Sequence, residues 1–482
     1  MKKYVFIAIG LLLLAGLYAA NTHKRPPEGF KEPPADFKEP PEGFEPPEGF
    51  VPPDGIEPPE GFGKGPAFVP DEEEPELDAS LVVSAEEKEI SNQELTSRET
   101  DKSVLLVKNG AKVTVSDSSL NKSDGDSSNG GQSNFYGLNA AIVSQAASTL
   151  TLNNVAVSTD ADGANAVFST GEGSVITAKN IKIRTEQNSS RGLDSTYGGV
   201  IYAENVDVIT QGDHCADFAT DRGEGTVSVN GGSAETYGEG SPVIYSTGNI
   251  LVKNVQGKAA RSEMAVIEGK NSITLEKSHL TGGKKTGRET GCGIMLYQSM
   301  SGDAFPGVSV FTANDSVLTN TSDGPVFYIT NTQSEINLSN TIIENQGDKL
   351  LLASGNKSER KWGKPGKNGG SVTLKTENQV LEGQILCDEI SKVAVMFGNK
   401  TIFKGSLNMD IASKNVNLYL DKNAKVELTA DSYLNDFIDA DKKFKNITSN
   451  GYTLYYNAKS KANSYLKGKS IKLKDGGYIK AY

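Results

Sequence analysis

Ile176–Ile183 reads ITAKNIKI and Ile201–Val208 reads IYAENVDV. Both alternate apolar and polar residues, the pattern of a strand with one buried face, and both bend at an asparagine. Related segments start at Leu150 (LTLNNVAV), Val227 (VSVNGGSA), Ile250 (ILVKNVQG), Ile273 (ITLEKSHL) and Ile336 (INLSNTII). The bend is occupied by Asn154, Asn180, Asn205, Asn254, Asn314 and Asn340, with Gly231 and Lys277 in the same column. Asparagine and glycine share a tolerance of left-handed backbone angles, so the column predicts one tight corner recurring on every unit. Stacked asparagine side chains also bond to one another along such a column. The repeat, about 22 to 35 residues, lies in the range of a solenoid unit. The expected fold is all-β, a parallel β-helix.

A second strand per turn aligns as VFST at Val167, LDST at Leu193, DFAT at Asp217 and IYST at Ile244, with looser copies at Val266, Leu296 and Tyr328. In that alignment Phe168, Phe218, Tyr245 and Tyr297 share a column, interrupted by Asp194 and Ile267. If the column faces inward it is aromatic core. If it faces outward it is a platform on which sugar rings could stack. Buried unpaired carboxylates are expensive, and Asp194 and Asp217 fall in opposite columns, so the alignment leaves both faces open.

Together with STYGGVIYAENVDV, GSPVIYSTGNILVKN, VIEGKNSITLEKSHLTG and GPVFYITNTQSEINLSN, these features resemble the right-handed parallel β-helix of the pectin-lyase-like superfamily. More narrowly they are similar to secreted, adhesin-like β-helix proteins of anaerobic bacteria. The resemblance runs from roughly Ser103 to Tyr482 and implies a fold and an extracellular setting, but no established activity. The polygalacturonase-like series of Asn-Thr-Asp, Asp-Asp, Gly-His-Gly and Arg-Ile-Lys is missing, so no catalytic residue carries over.

The densest set of chemical groups is TQGDHCADFATDRGEG, Thr210–Gly225. Asp213, His214, Asp217, Asp221 and Arg222 are the candidate catalytic residues, because hydrolases on such folds use clustered aspartates as acid and base. The alternative is a set of solvated turns around one strand. SDGDSSNGG and TDADG place Asp124, Asp126, Asp160 and Asp162 in acidic loops, where Ca²⁺ is a possible ligand, although neither loop has a full ligand set. Otherwise no cofactor is expected.

Met1–Ala20 has two lysines, an apolar run and small residues, the pattern of an export signal, either cleaved or retained as an anchor. Membrane contact is expected only through this segment, if it is uncleaved. Residues 21–100 form an expected stalk, with Pro-Pro pairs at Pro26, Pro33, Pro40, Pro46, Pro52 and Pro58, followed by the acidic run DEEEPELD. Paired prolines favour extended polyproline II and form no packed core. The β-helix is placed at 101–430, and 431–482, rich in Tyr and Lys, is read as a β-rich cap.

A net charge of −12 argues against a nucleic-acid partner, which requires a clustered basic face. Cys215 and Cys292 fall three rungs apart, about 14 Å at about 4.8 Å per rung, beyond disulfide reach. The expected function is non-catalytic binding of polysaccharide or glycan, including cell-wall polymer, at the cell surface or envelope. A polysaccharide lyase or glycoside hydrolase acting on acidic polysaccharide is the alternative.

Overall fold

In the computed structural model, residues 73–284 and 290–482 are described. The signal segment and the Pro-rich repeats lie outside the described residues. What is described is an all-β parallel solenoid with almost no helix.

One parallel sheet of 15 strands runs the length of the solenoid, from Asp78–Ser84 to Ile447–Thr448, each strand pairing with its counterpart on the next coil. The second side of the coil is built from the Asn-containing segments. Val175–Thr185 pairs in register with Val200–Thr210, which pairs with Thr226–Thr236, then Asn249–Ala259. Ile176, Ala178, Ile181 and Ile183 point inward and are buried, as are Ile201, Ala203, Val206 and Val208 one coil on. Inward positions on both sides of the coil form one continuous hydrophobic core. Parallel strands in register stack like on like, so each coil extends the core of the previous one.

The corner column is left-handed as expected: φ is 55° at Asn154, Asn180 and Asn205, 54° at Asn254 and 49° at Asn340. Gly231 at 85° and Lys277 at 49° fill the same column. Asn314 is a correction. It ends the strand Val308–Asn314 opposite Glu276, and Asp315, with φ 49°, occupies the corner. Aspartate tolerates the left-handed region as asparagine does, and a one-residue offset is invisible where Asn and Asp are adjacent.

The side chains bond along the column. Asn205 donates to Asn180 at 2.8 Å, Asn180 to Asn154 at 2.9 Å and Asn154 to Asp117 at 3.0 Å. Where Gly231 lacks an amide, Asn254 donates instead to Asn230 at 2.7 Å. Asn180→Ala removes two rungs of this ladder and leaves a Cβ residue without its polar group in a left-handed corner. The expected cost is about 1–2 kcal/mol, read as a lower urea midpoint, with Asn180→Gly costing less. Equal midpoints for wild type and Asn180→Ala would show that the ladder contributes nothing.

The first coil starts at Asp78, inside the 21–100 stretch assigned to the stalk. Asp78–Ser84, Glu87–Ser91 and Glu94–Ser97 pair with Lys102–Lys108, Lys112–Ser116 and Ser119–Ser123. Its exposed glutamates made it read as acidic linker. At the other end, Phe437–Asp439 and Ile447–Thr448 still pair with solenoid strands beyond residue 431. A four-stranded sheet then closes the coil, with Ile471–Lys472 antiparallel to Tyr478–Ala481.

Candidate functional site

Part of the outer face of the 15-stranded sheet, over Val167–Thr170 and Leu193–Thr196, is covered, and this decides where the candidate residues lie. Helix α1 (Gly130–Tyr136) is capped by Asn129, whose side chain accepts from the Gly131 and Gln132 amides, and ends at Gly137 in the left-handed region, φ 78°. A Cβ at Gly137 would stand 2.6 Å from the Phe168 ring, so glycine lets the chain lie on that ring. Phe168 is thereby buried in a small outer cluster with Leu106, Leu138 and Val143.

The proposed aromatic column breaks up. The register pairs Val167 with Leu193, Phe218 and Ile244, so Phe218 is a core residue and DFAT aligns one residue later than expected. The position of Phe168 continues through Asp194, Ala219, Tyr245 and Val266. Tyr297 lies two positions further along the strand, opposite Glu268. Phe168, Tyr245 and Tyr297 do face outward, but beneath covering segments.

Those segments close over a ladder of charge. Arg191 holds Asp221 at 2.8 Å and Asp194 at 3.6 Å, and donates to the Asn134 side chain of α1 at 2.6 Å. Arg222 pairs with Asp303 at 2.7 Å and lies 3.9 Å over the Phe135 ring of α1. Glu268 accepts from the Tyr297 hydroxyl at 2.8 Å, the Tyr245 hydroxyl at 3.1 Å and the Ser299 amide at 3.2 Å. Burial pushes the Asp194 carboxyl up to about 7, with Arg191 opposing and Asp221 adding to the rise. Burial likewise takes Asp221 to about 6, against the pull of Arg191. Glu268 is also raised by burial.

The five candidate catalytic residues do not form one site. Asp213 and His214 are at a corner, where Asp213 accepts from the Glu239 amide at 2.6 Å and His214 is left-handed at φ 57°. Asp217 is fully buried with neither carboxylate oxygen hydrogen-bonded. Burial drives its pKa well above the usual range, and the neighbouring Thr210 hydroxyl offsets only part of this. Asp221 and Arg222 alone reach the outer charged ladder. The other members of the ladder, Arg191, Asp194, Glu268 and Asp303, were missed as a group. The usable signal was an arginine three residues before an acid in RGLD, one coil below Asp221.

The four loop aspartates serve neighbouring turns. Asp126 accepts from the Asp162 amide at 2.9 Å, Asp162 from the Asn188 amide at 3.0 Å and Asp160 from the Gln187 side chain at 2.7 Å. Asp124 faces Arg98 at 3.9 Å. Among the described residues no three His, Cys, Asp or Glu side chains are placed to hold a metal ion. The three cysteines are buried, and burial pushes the Cys215 thiol up to about 11.

Beside the buried ladder the same face opens into two clefts. One, of about 740 Å³, is bordered by Tyr328, Trp362, Asn356, Arg360, Asp388 and Ala412. The other, of about 230 Å³, is lined by Arg191, Tyr245, Tyr297 and Lys284 and shares Arg360 and Trp362 with the first. Aromatic rings, amides and charged heads line these clefts, the mixture that small-molecule and saccharide sites use. No family model, curated protein or solved structure matches the chain, and what the structure shows is an architecture, the parallel β-solenoid.

Proposed function

We propose that this is an exported, adhesin-like surface protein that binds polysaccharide or glycan in the open clefts of the 15-stranded sheet and does not turn it over. The pectin-lyase-like resemblance, the export signal and the Pro-rich stretch support the setting. One observation carries the non-catalytic reading. The acids that could act as general acid and base, Asp194 and Asp221, are 0% and 4% exposed and held by Arg191 beneath α1. A hydrolytic pair must reach both a glycosidic oxygen and a water, whereas the clefts beside them are open.

The rival reading is a glycoside hydrolase. It is favoured by Asp194 and Asp221 occupying neighbouring coils with raised pKa values, about 7 and about 6. The full chain should be incubated with pectins, alginate, glycosaminoglycans and neutral glycans, with and without Ca²⁺. The expected result is retention without release of unsaturated uronides or reducing ends. Ala412→Trp, at an exposed position bordering the larger cleft, should lower affinity at least about tenfold by filling it. Turnover that disappears in Asp194→Asn or Asp221→Asn would replace this reading with the hydrolase.

A further inference from the structure

The larger cleft is framed by residues 354–370, a connection between Lys349–Ala353 and Ser371–Glu377 with no strand or helix of its own. Connections of this length in a compact fold are usually functional. From Lys357 to Lys367 it carries Lys357, Arg360, Lys361, Lys364 and Lys367 against one acid, Glu359, in a chain whose net charge is −12. Lys357, Lys361, Lys364 and Lys367 are exposed and form no ion pair among the described residues.

The backbone beneath these charges is fixed. Trp362 is buried against Tyr297, ring centroids 4.6 Å apart, and the Arg360 guanidinium lies 5.7 Å from the Trp362 ring. The Asn368 side chain donates to the carbonyls of Asn356 at 2.9 Å and Trp362 at 3.1 Å. Ser358 donates to the Gly363 carbonyl at 2.7 Å, and the Gly355 amide to Asp388 at 2.8 Å. Like charges held on a fixed frame repel one another, and none of these bonds uses an ammonium group. The fold thus bears a concentration of positive charge that its own stability does not need.

We propose that the 354–370 loop makes the cleft selective for polysaccharides carrying repeated anionic groups, Lys357 meeting carboxylate or sulfate in the cleft and Lys361, Lys364 and Lys367 meeting them where the chain runs on over the loop. The proposal rests on the glycan-binding reading above and names the chemistry of the ligand. Ammonium groups at the protein surface gain attraction over a Debye length of about 10 Å at about 0.1 M salt, so the interaction is salt-sensitive and draws anionic chains toward the cleft.

The test uses the full chain with dextran, dextran sulfate and polygalacturonate, by affinity electrophoresis and calorimetry. Both anionic polymers are expected to bind at least about tenfold more tightly than dextran at about 0.05 M salt, and to weaken steeply toward about 0.5 M. Retention of only one supports the proposal and identifies the anion. Replacing Lys357, Lys361, Lys364 and Lys367 together by Gln should cost at least about tenfold in that affinity, with near-ultraviolet circular dichroism unchanged. The same exchange at Lys467, Lys469, Lys472 and Lys474 of the cap should leave it unaltered. Equal binding of dextran and dextran sulfate would overturn the proposal while leaving glycan binding intact. So would an unaffected loop variant, or a cap variant losing as much. If none of the three polymers nor any glycan in the preceding panel binds, both readings fall together.

Discussion

Arg191→Leu is expected to cost the fold about 3–5 kcal/mol at pH 7, the usual penalty for removing one partner from a buried ion pair. Arg191 is 8% exposed and is the cation held by both Asp194 and Asp221. Without it two acids remain buried on neighbouring coils, and α1 loses the 2.6 Å bond at Asn134. The urea midpoint should fall accordingly. Two further measurements separate lost charge from lost packing. Acidification toward pH 5 should restore part of the midpoint, because both carboxyls are then neutral. Leucine at all three positions should recover most of the loss, as apolar replacements of buried ion networks commonly do. A single variant as stable as wild type at pH 7 would show that the ladder does not hold the cover down.

Raising the pH should destabilise this protein over a range where many proteins are near their optimum. Asp217, Asp194, Asp221 and Asp439 all have folded pKa values raised by burial, the last three to about 7, 6 and 6. In the unfolded chain an aspartate titrates near 3.9, so between pH 4 and the folded value the native state holds a proton that the unfolded state has released. Stability is therefore complete below about pH 4 for these groups and falls as pH rises through their folded pKa values. Each contributes a slope of about 1.4 kcal/mol per pH unit. The melting temperature should drop by several degrees from pH 5 to pH 8. Asp217→Val places in that position the residue type that Val243 supplies one coil on. It should be near neutral at pH 4 and stabilising by about 2–3 kcal/mol at pH 8. A melting temperature that rises from pH 5 to 8, or a valine variant weaker at pH 8, would contradict this account of Asp217.

The Asn-bearing side of the coil was legible because its outer face meets water. In Val175–Thr185, Ile176, Ala178, Ile181 and Ile183 are buried while Thr177, Lys179, Lys182 and Arg184 are exposed, so period-two alternation survives in the sequence. The opposite sheet was not legible to the same depth. Val167–Thr170 and Leu193–Thr196 are four residues each and buried at every position, because α1 and the loops cover their outer face. Short strands buried on both faces carry no phase, and a slip of one residue exchanges inside for outside. That slip put Phe218 with Phe168 and Tyr245. It also made Asp213 through Arg222 look like one cluster, although the chain there passes a corner, the interior and the outer face within ten residues. The cleft loop was missed for another reason: its lysines sit outside any repeat, and an alignment built on repetition discards them.

Coils that touch only their neighbours also set how such a molecule comes apart. An interior coil has a partner on each side, whereas an end coil has one, so the two ends act as fuses and the interior outlasts them. The C-terminal fuse is the small sheet closed by the antiparallel pairing of Ile471–Lys472 with Tyr478–Ala481. The lifetime of the solenoid under denaturant, protease or pulling force is then governed by a few strands at its ends, and fastening those last strands would lengthen it without touching the ligand face.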